Sequence, residues 1–324
     1  MAASGQETLR EEALTFAGAA GRLAGTLTVP AGPPRGAVLI IAGSGAVDRN
    51  GDVGKLRPGT YRELAQDVGR QGFMALRYDK RGVGGSPGDR YSIGLWDRVD
   101  DAQAAVRFLR ERLADPRAPI VLMGHSEGCI IAVAANARSP VEGLVLLAGP
   151  CESLSATSAR QQQQAIEDLR RMRGFGGLLV RLLRVPDSQA RKAPRTMARI
   201  LAAERPWVRI SGVKMNARWI QEHFRYDVRS DLPQVRCPVL AITGAKDIQV
   251  LPEDTRRIAE AVLGPAQAMI IPDMTHMLRR TQETCDMISL MKLYRRLCRE
   301  PVDQELLDAV RSWLDEHFPA QGSA

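Results

Sequence analysis

The chain is short of what several protein classes require. Histidine occurs four times in 324 residues, so a site that needs an imidazole must draw on His125, His223, His276 or His317. The five cysteines, Cys129, Cys151, Cys237, Cys285 and Cys298, are odd in number, scattered and free of any C-x-x-C pair. That excludes a disulfide framework and a thiolate zinc site, and the five are expected as reduced thiols. No uninterrupted apolar run approaches the roughly 18 residues of a membrane span. Met1 to Glu12 carries Glu7, Glu11 and Glu12, with neither the basic start nor the apolar centre of a signal peptide. A cytoplasmic protein without a membrane partner is expected. Nothing matches a phosphate loop, a metal cluster or a nucleic-acid module, so neither cofactor, metal nor nucleic-acid partner is expected.

What is present is an ordinary globular composition, 44% hydrophobic and 25% charged, long enough for one large core with a substantial insertion. Two β-like runs, Ala13 to Phe16 and Leu23 to Val29, predict an antiparallel hairpin at a sheet edge. Apolar strand-length runs follow at 37–42, 73–78, 120–123, 144–148, 238–244 and 268–271. Amphipathic helical spacing falls between them, at 60–71, 96–113 and 253–263, and closes the chain at 302–318. Strands alternating with helices predict an α/β fold, a mostly parallel central sheet with helices on both faces.

That rhythm stops from Cys151 to Leu232. This stretch is helical in character with no evident buried strand, and carries 16 lysines and arginines against 8 aspartates and glutamates. Its surplus equals the +8 of the whole chain. The expected organisation is therefore a core at 1–150 and 233–324 with a helical insertion at 151–232.

The pentapeptide Gly124-His125-Ser126-Glu127-Gly128 lies between a buried strand and a helix of small residues. A strand that breaks at Gly124 and restarts as a helix at Glu127 holds Ser126 on a sharp turn over the sheet edge. Gly84-Gly85-Ser86-Pro87-Gly88 matches the same G-x-S-x-G spacing. There Pro87 has no N–H to offer an oxyanion, and the approach to it is polar and glycine-rich. Context selects Ser126. A serine hydroxyl needs a base, and the base an orienting carboxylate. Asp247 and His276 each follow the C-terminal end of a buried strand, the edge where ligands of open α/β sheets collect.

These segments resemble the α/β-hydrolase family: the Ser126 pentapeptide, Gly244 to Asp247, and Asp273-Met274-Thr275-His276, in the order nucleophile, acid, base. Gly43-Ser44-Gly45 with Asp48-Arg49-Asn50-Gly51, and Arg77 to Ser86, are similar to its serine esterase and aminopeptidase-like branch. The resemblance implies Ser126 as nucleophile, His276 as base and Asp247 as its orienter. It implies an oxyanion hole made by the N–H of Glu127 and of Ser44, with Gly45 as the rival donor. It further implies a small-molecule ester as substrate, and identifies 151–232 as a cap.

Other polar residues have plainer expectations. Asp273, Glu253 and Asp254 compete with Asp247 as orienter, but a strand-end turn holds a carboxylate more rigidly than a helix start. Glu127 is expected as a helix-start carboxylate, Cys129 as packing, and Asp79 with Arg81 as an ion pair under the site, with Asp48 and Arg49 doing the same. Trp207, Trp219, Phe224 and Tyr226 either line a pocket or pack the insertion onto the core.

Overall fold

The computed structural model describes residues 9–320. The hairpin of β1 (Arg10–Gly18) and β2 (Gly21–Val29) pairs antiparallel from Arg10 against Val29 to Gly18 against Gly21. Then come β3 (Gly36–Ile41), α1 (Thr60–Arg70), β4 (Phe73–Tyr78), α2 (Leu95–Arg112), β5 (Ile120–His125), α3 (Glu127–Arg138) and β6 (Gly143–Leu147). After the insertion the core resumes with β9 (Val239–Gly244), α8 (Asp254–Ala261), β10 (Ala266–Ile271), α9 (Leu290–Leu297) and α10 (Gln304–His317). The insertion itself holds α4 (Leu154–Arg171), α5 (Gly174–Leu182), α6 (Val185–Leu201), β7 (Trp207–Ile210), β8 (Val213–Asn216) and α7 (Ala217–Arg225).

Eight strands form one sheet in the order β1-β2-β4-β3-β5-β6-β9-β10. β2 meets β4 antiparallel, and every pairing from β4 to β10 is parallel. The central strands are mostly apolar because both faces are covered, with Arg77 of β4 and Thr243 of β9 among the buried polar exceptions. Along β3 the side chains divide: Ala37, Leu39 and Ile41 enter the core shared with α2 and α3, while Val38 and Ile40 enter the core shared with α1 and α10. Each such aliphatic side chain contributes about 1.5–3 kcal/mol by leaving water. The parallel register brings the ends of β3, β5, β9 and β10 to one edge, and Ser126, Asp247 and His276 all follow strands that end there.

Two parts differ from expectation. The stretch 151–232, expected to be helical, contains the β7–β8 hairpin. Its tip is Ser211-Gly212, both at positive φ, 49° and 83°, the two-residue turn that suits strand twist. Four-residue strands, intermediate in burial or exposed, are too short to show alternation against a helical background. The second difference is α9, whose buried stripe is Leu290, Leu293 and Leu297. No helix among the described residues is long and apolar enough to cross a membrane.

Candidate active site

At the end of β5 the backbone turns so sharply that Ser126 takes φ 55° and ψ −118°, a conformation a side chain adopts only when its surroundings enforce it. Both glycines of the pentapeptide are sterically required. A Cβ on Gly124 would lie 2.4 Å from the Gly128 carbonyl carbon, and one on Gly128 would lie 2.1 Å from the Ile41 oxygen. Ser126 N–H donates to Leu147 O at 2.9 Å, which ties the turn to β6. Glu127 opens α3, so its N–H belongs to the positive end of the helix dipole.

Across the edge, Asp247 is buried and held at both oxygens. Oδ1 accepts the N–H groups of Gln249 at 2.8 Å and Val250 at 2.9 Å, and Oδ2 lies 2.7 Å from His276 Nδ1. A carboxylate facing Nδ1 places the ring proton there, which leaves the Nε2 lone pair free to accept. Among the described residues, the hydrogen bonds of His276 are to Asp247 and, through its carbonyl, to His125, and none is to Ser126 Oγ. Ser126 and His276 line the same cavities, and such catalytic contacts often tighten only on substrate binding. Among the described residues, the competing carboxylates make no hydrogen bond to His276, and Glu253 is exposed just before α8. Asp273 pairs with Lys246 at 2.8 Å, and Asp254 with Arg257 at 2.9 Å.

The Gly43-Ser44-Gly45 loop is organised by two residues that sequence reasoning did not find. Gly43 N–H donates to Tyr61 Oη at 2.9 Å, Tyr61 Oη–H donates to His125 Nδ1 at 2.9 Å, and His125 Nε2–H donates to His276 O at 2.9 Å. The carbonyl can only accept, so the tautomer of His125 and the direction of the chain are both set. Burial first, then the charge of His276, push the His125 pKa down to about 3, so the ring stays neutral. Gly43 N–H is thereby occupied, which leaves the N–H groups of Ser44 and Gly45 as the loop's candidate donors. Ser44 lines both cavities that contain Ser126. Behind the loop, Lys80 Nζ donates to Gly43 O and, at 2.7 Å, to Gly45 O. Burial, reinforced by Arg98, lowers its pKa to about 7, against the opposing charge of Glu127.

Other expectations are resolved as follows. Asp79 does not pair with Arg81. It pairs with Arg49, Nη1 to Oδ2 at 2.7 Å, and takes the N–H of Arg49 and Gly85, while Arg81 reaches α2 and pairs with Asp101 at 2.7 Å and Asp97 at 3.4 Å. Gly82 and Gly84, both at positive φ, curl the loop so that the two side chains diverge. Asp48 likewise does not pair with Arg49 but caps its own turn, accepting from Asn50 and Asp52 N–H. Ser86 of the second G-x-S-x-G is buried, donating to Asp79 O and accepting from Ala24 N–H. Cys129 is buried against Gly124 O and Leu147 O, and burial pushes its thiol pKa up. Glu127 is more than a helix-start carboxylate, since it faces Arg98, Trp219 and His223. Of the aromatics, Trp219 and Phe224 line a cavity with Ser126, Tyr226 packs edge-on to Trp96, and Trp207 stays on the hairpin beneath Arg205 and Lys214.

Two cavities meet at Ser126 and His276. One, of about 260 Å³, runs beneath the insertion past Leu154, Ile220 and Phe224. The other, of about 390 Å³, runs past Val47, Leu56, Met277 and Met291. Among the residues lining the pair, Glu127 is the one carboxylate. A carbonyl group seated at the junction would have a hydroxyl, an imidazole and backbone N–H donors around it, the set that acyl transfer requires.

Comparison with known proteins agrees. The chain is 23% identical over 311 residues to an esterase of Thermotoga maritima, EstD, covering 95% of this chain and 68% of that protein. A monoglyceride lipase of Rattus norvegicus is 30% identical over 125 residues, 36% of each protein. Est1E from Butyrivibrio proteoclasticus, solved with ferulic acid bound, superposes over 95% of this chain and all of its own with a TM-score of 0.61 at 17% identity, a likeness of fold. Residues 57–283 match the family model described as serine aminopeptidase, S33. That match begins just before α1, ends beyond His276 and takes in most of the α/β-hydrolase core as well as the insertion, and the chain belongs to the S33 serine aminopeptidase family.

Proposed function

We propose that the protein is a serine hydrolase of carboxylic esters, with Ser126 as nucleophile, His276 as base and then acid, and Asp247 as the group that orients His276. The observation that carries this reading is the 2.7 Å contact between Asp247 and His276 Nδ1 at the same cavity junction as the strained Ser126. Ser126 Oγ attacks the ester carbonyl as its proton passes to His276 Nε2. The N–H groups of Glu127 and Ser44 hold the oxyanion, each worth about 3–4 kcal/mol in enzymes of this kind. His276 then protonates the departing alcohol, and water, activated by the same ring, releases the acyl group from Ser126. No cofactor takes part in these steps.

An ester is favoured over a peptide with a free N-terminus because an aminopeptidase must hold a substrate ammonium. Glu127, the carboxylate in the cavities, already faces Arg98 and His223. The relatives named esterase and monoglyceride lipase support the same choice. The reading includes residues 151–232 as a cap over the site, and a cytoplasmic location, supported by the five free cysteines.

Ser126→Ala tests it. Turnover of a short-chain aryl ester and labelling by a fluorophosphonate should both vanish while the thermal transition survives. Activity retained in this variant, or an unlabelled unmodified protein, would overturn the assignment.

A further inference from the structure

Glu127 follows the nucleophile, and its carboxylate is gripped from two sides. From the core, Arg98 of α2 places Nη1 2.5 Å from Oε2. From the insertion, Trp219 of α7 donates Nε1–H to Oε1 at 2.6 Å, and His223 Nε2 lies 3.0 Å from the same oxygen. All of this is out of water: the side chains of Glu127 and His223 are 4% and 1% exposed, and that of Arg98 12%. Burial alone would raise the Glu127 pKa, but Arg98, His223 and Lys80 outweigh it and keep the carboxylate ionised.

The ring of His223 adds a second fact. Its Nδ1 lies 2.9 Å from Trp219 O, an atom that only accepts. Its Nε2 faces an ionised carboxylate oxygen, which also only accepts. The carbonyl requires a proton on Nδ1, so Nδ1–H donates to Trp219 O and fixes the plane of the ring beside Glu127. Nε2 makes no straight hydrogen bond to Oε1, so the ring meets the carboxylate by close packing at 3.0 Å. The charged groups facing it from neighbouring elements are Glu127 of α3 and, beyond it, Arg98 of α2 and Lys80 of the loop after β4. The same helix has a further anchor at α2, where Trp96 N–H donates to Glu222 at 3.1 Å.

One carboxylate therefore joins α7 to the peptide whose N–H would hold the oxyanion. We propose that Glu127 is a positioning residue, through which the seating of α7 against the core sets the oxyanion donor, so that turnover depends on the insertion being docked. This rests on the hydrolase reading above. It makes Trp219 and His223 more than cavity wall. With α7 in place, Glu127 is held between Arg98 and the α7 pair, and the start of α3 is fixed; with α7 displaced, only Arg98 holds it.

The test uses the full chain and an aryl acetate, the ester with the smallest acyl chain that still reports turnover by colour. Trp219→Phe keeps an aromatic ring and removes the donor, and His223→Gln removes the ring packed against Glu127. Each should lower kcat for the acetate roughly tenfold, a fraction of the loss seen when an oxyanion donor is deleted. KM should stay within about twofold, and fluorophosphonate labelling of Ser126 should slow by the same factor, as that reaction uses the same donors. An unchanged kcat, or an effect confined to KM and to long acyl chains, would mean that these residues merely line the cavity and would overturn the proposal. In none of these outcomes is Ser126 unlabelled in the unmodified protein, and that separate result would count against the hydrolase reading itself.

Discussion

Gly128 shows how little freedom the elbow has. The 2.1 Å approach of a Cβ to the Ile41 oxygen is against main chain, which cannot swing aside as a side chain can. Gly128→Ala should therefore cost at least the upper end of the usual overpacking range, about 3 kcal/mol, and abolish labelling of Ser126. A melting point within a degree of the unmodified protein would contradict this. His125 makes the adjacent constraint electrostatic. Its pKa falls from 6.5 in the unfolded chain to about 3 in the fold, so the unfolded state binds the proton more readily. The neutral ring's contribution to stability is complete above about pH 6.5 and is lost progressively as pH falls towards 3. Denaturant midpoints measured downwards from pH 7 should decline over that window in the unmodified protein, and more shallowly in His125→Gln. Ser126, Asp247 and His276 are legible from sequence because their positions follow from strand ends and a steric glycine rule. Tyr61 and Lys80 are not. On α1, Tyr61 sits at a core-facing helical position like any packing residue, and Lys80 lies in an Asp-Lys-Arg-Gly turn that resembles a solvated charge run. What gives each its role is a partner far along the chain, Tyr61 with His125 and Lys80 with Gly43.

Elements whose burial is two-sided, such as β3, β5 and β9, carry unbroken apolar runs and were legible to within about two residues, the ordinary uncertainty of element ends. The β7–β8 hairpin and α9 lie at the periphery, where half-exposed positions dilute the pattern, although Ser211-Gly212 is a turn signal on its own terms. The loop between β3 and α1 supplies an oxyanion donor on the proposed mechanism, and Lys80 pins it through the carbonyls on either side of Ser44. Lys80→Met keeps the apolar stem and removes the donors. The loop should then relax and kcat for an aryl ester fall by roughly ten- to a hundredfold, up to the loss of one oxyanion donor. Lys80→Arg should not restore it, because a planar guanidinium does not fit a site built for a compact ammonium between two carbonyls. Stopped-flow labelling with a fluorophosphonate separates the acylation step from later ones. Unaltered labelling in Lys80→Met would show that the loop holds its shape without the clamp.

At the scale of the molecule, the insertion and the core enclose Ser126 from opposite sides, and the cavity junction turns that arrangement into a prediction about substrate. On the proposed mechanism His276 protonates the leaving alcohol, and we assign the alcohol to the cavity of about 390 Å³ that its neighbour Met277 lines. The acyl chain is left with the cavity of about 260 Å³ under α4 and α7, bounded by Leu154 and Phe224. Each methylene that leaves water on entering an apolar cavity gains about 0.8 kcal/mol, up to about fourfold in kcat/KM. Lengthening either side of the ester should raise kcat/KM by that factor per carbon until the cavity is filled. Leu154 and Leu56 are both half-buried, so a tryptophan at either position has room to fold. Leu154→Trp should flatten the gain with acyl length and leave the gain with alcohol size, and Leu56→Trp should do the reverse, while both variants hydrolyse the smallest ester nearly as well as the parent. Both variants acting alike on the two series would mean that the cavities take the substrate as one space. A crossed response would show that Ser126 divides it, and that the insertion selects the acyl group while the loop between β3 and α1 selects the alcohol.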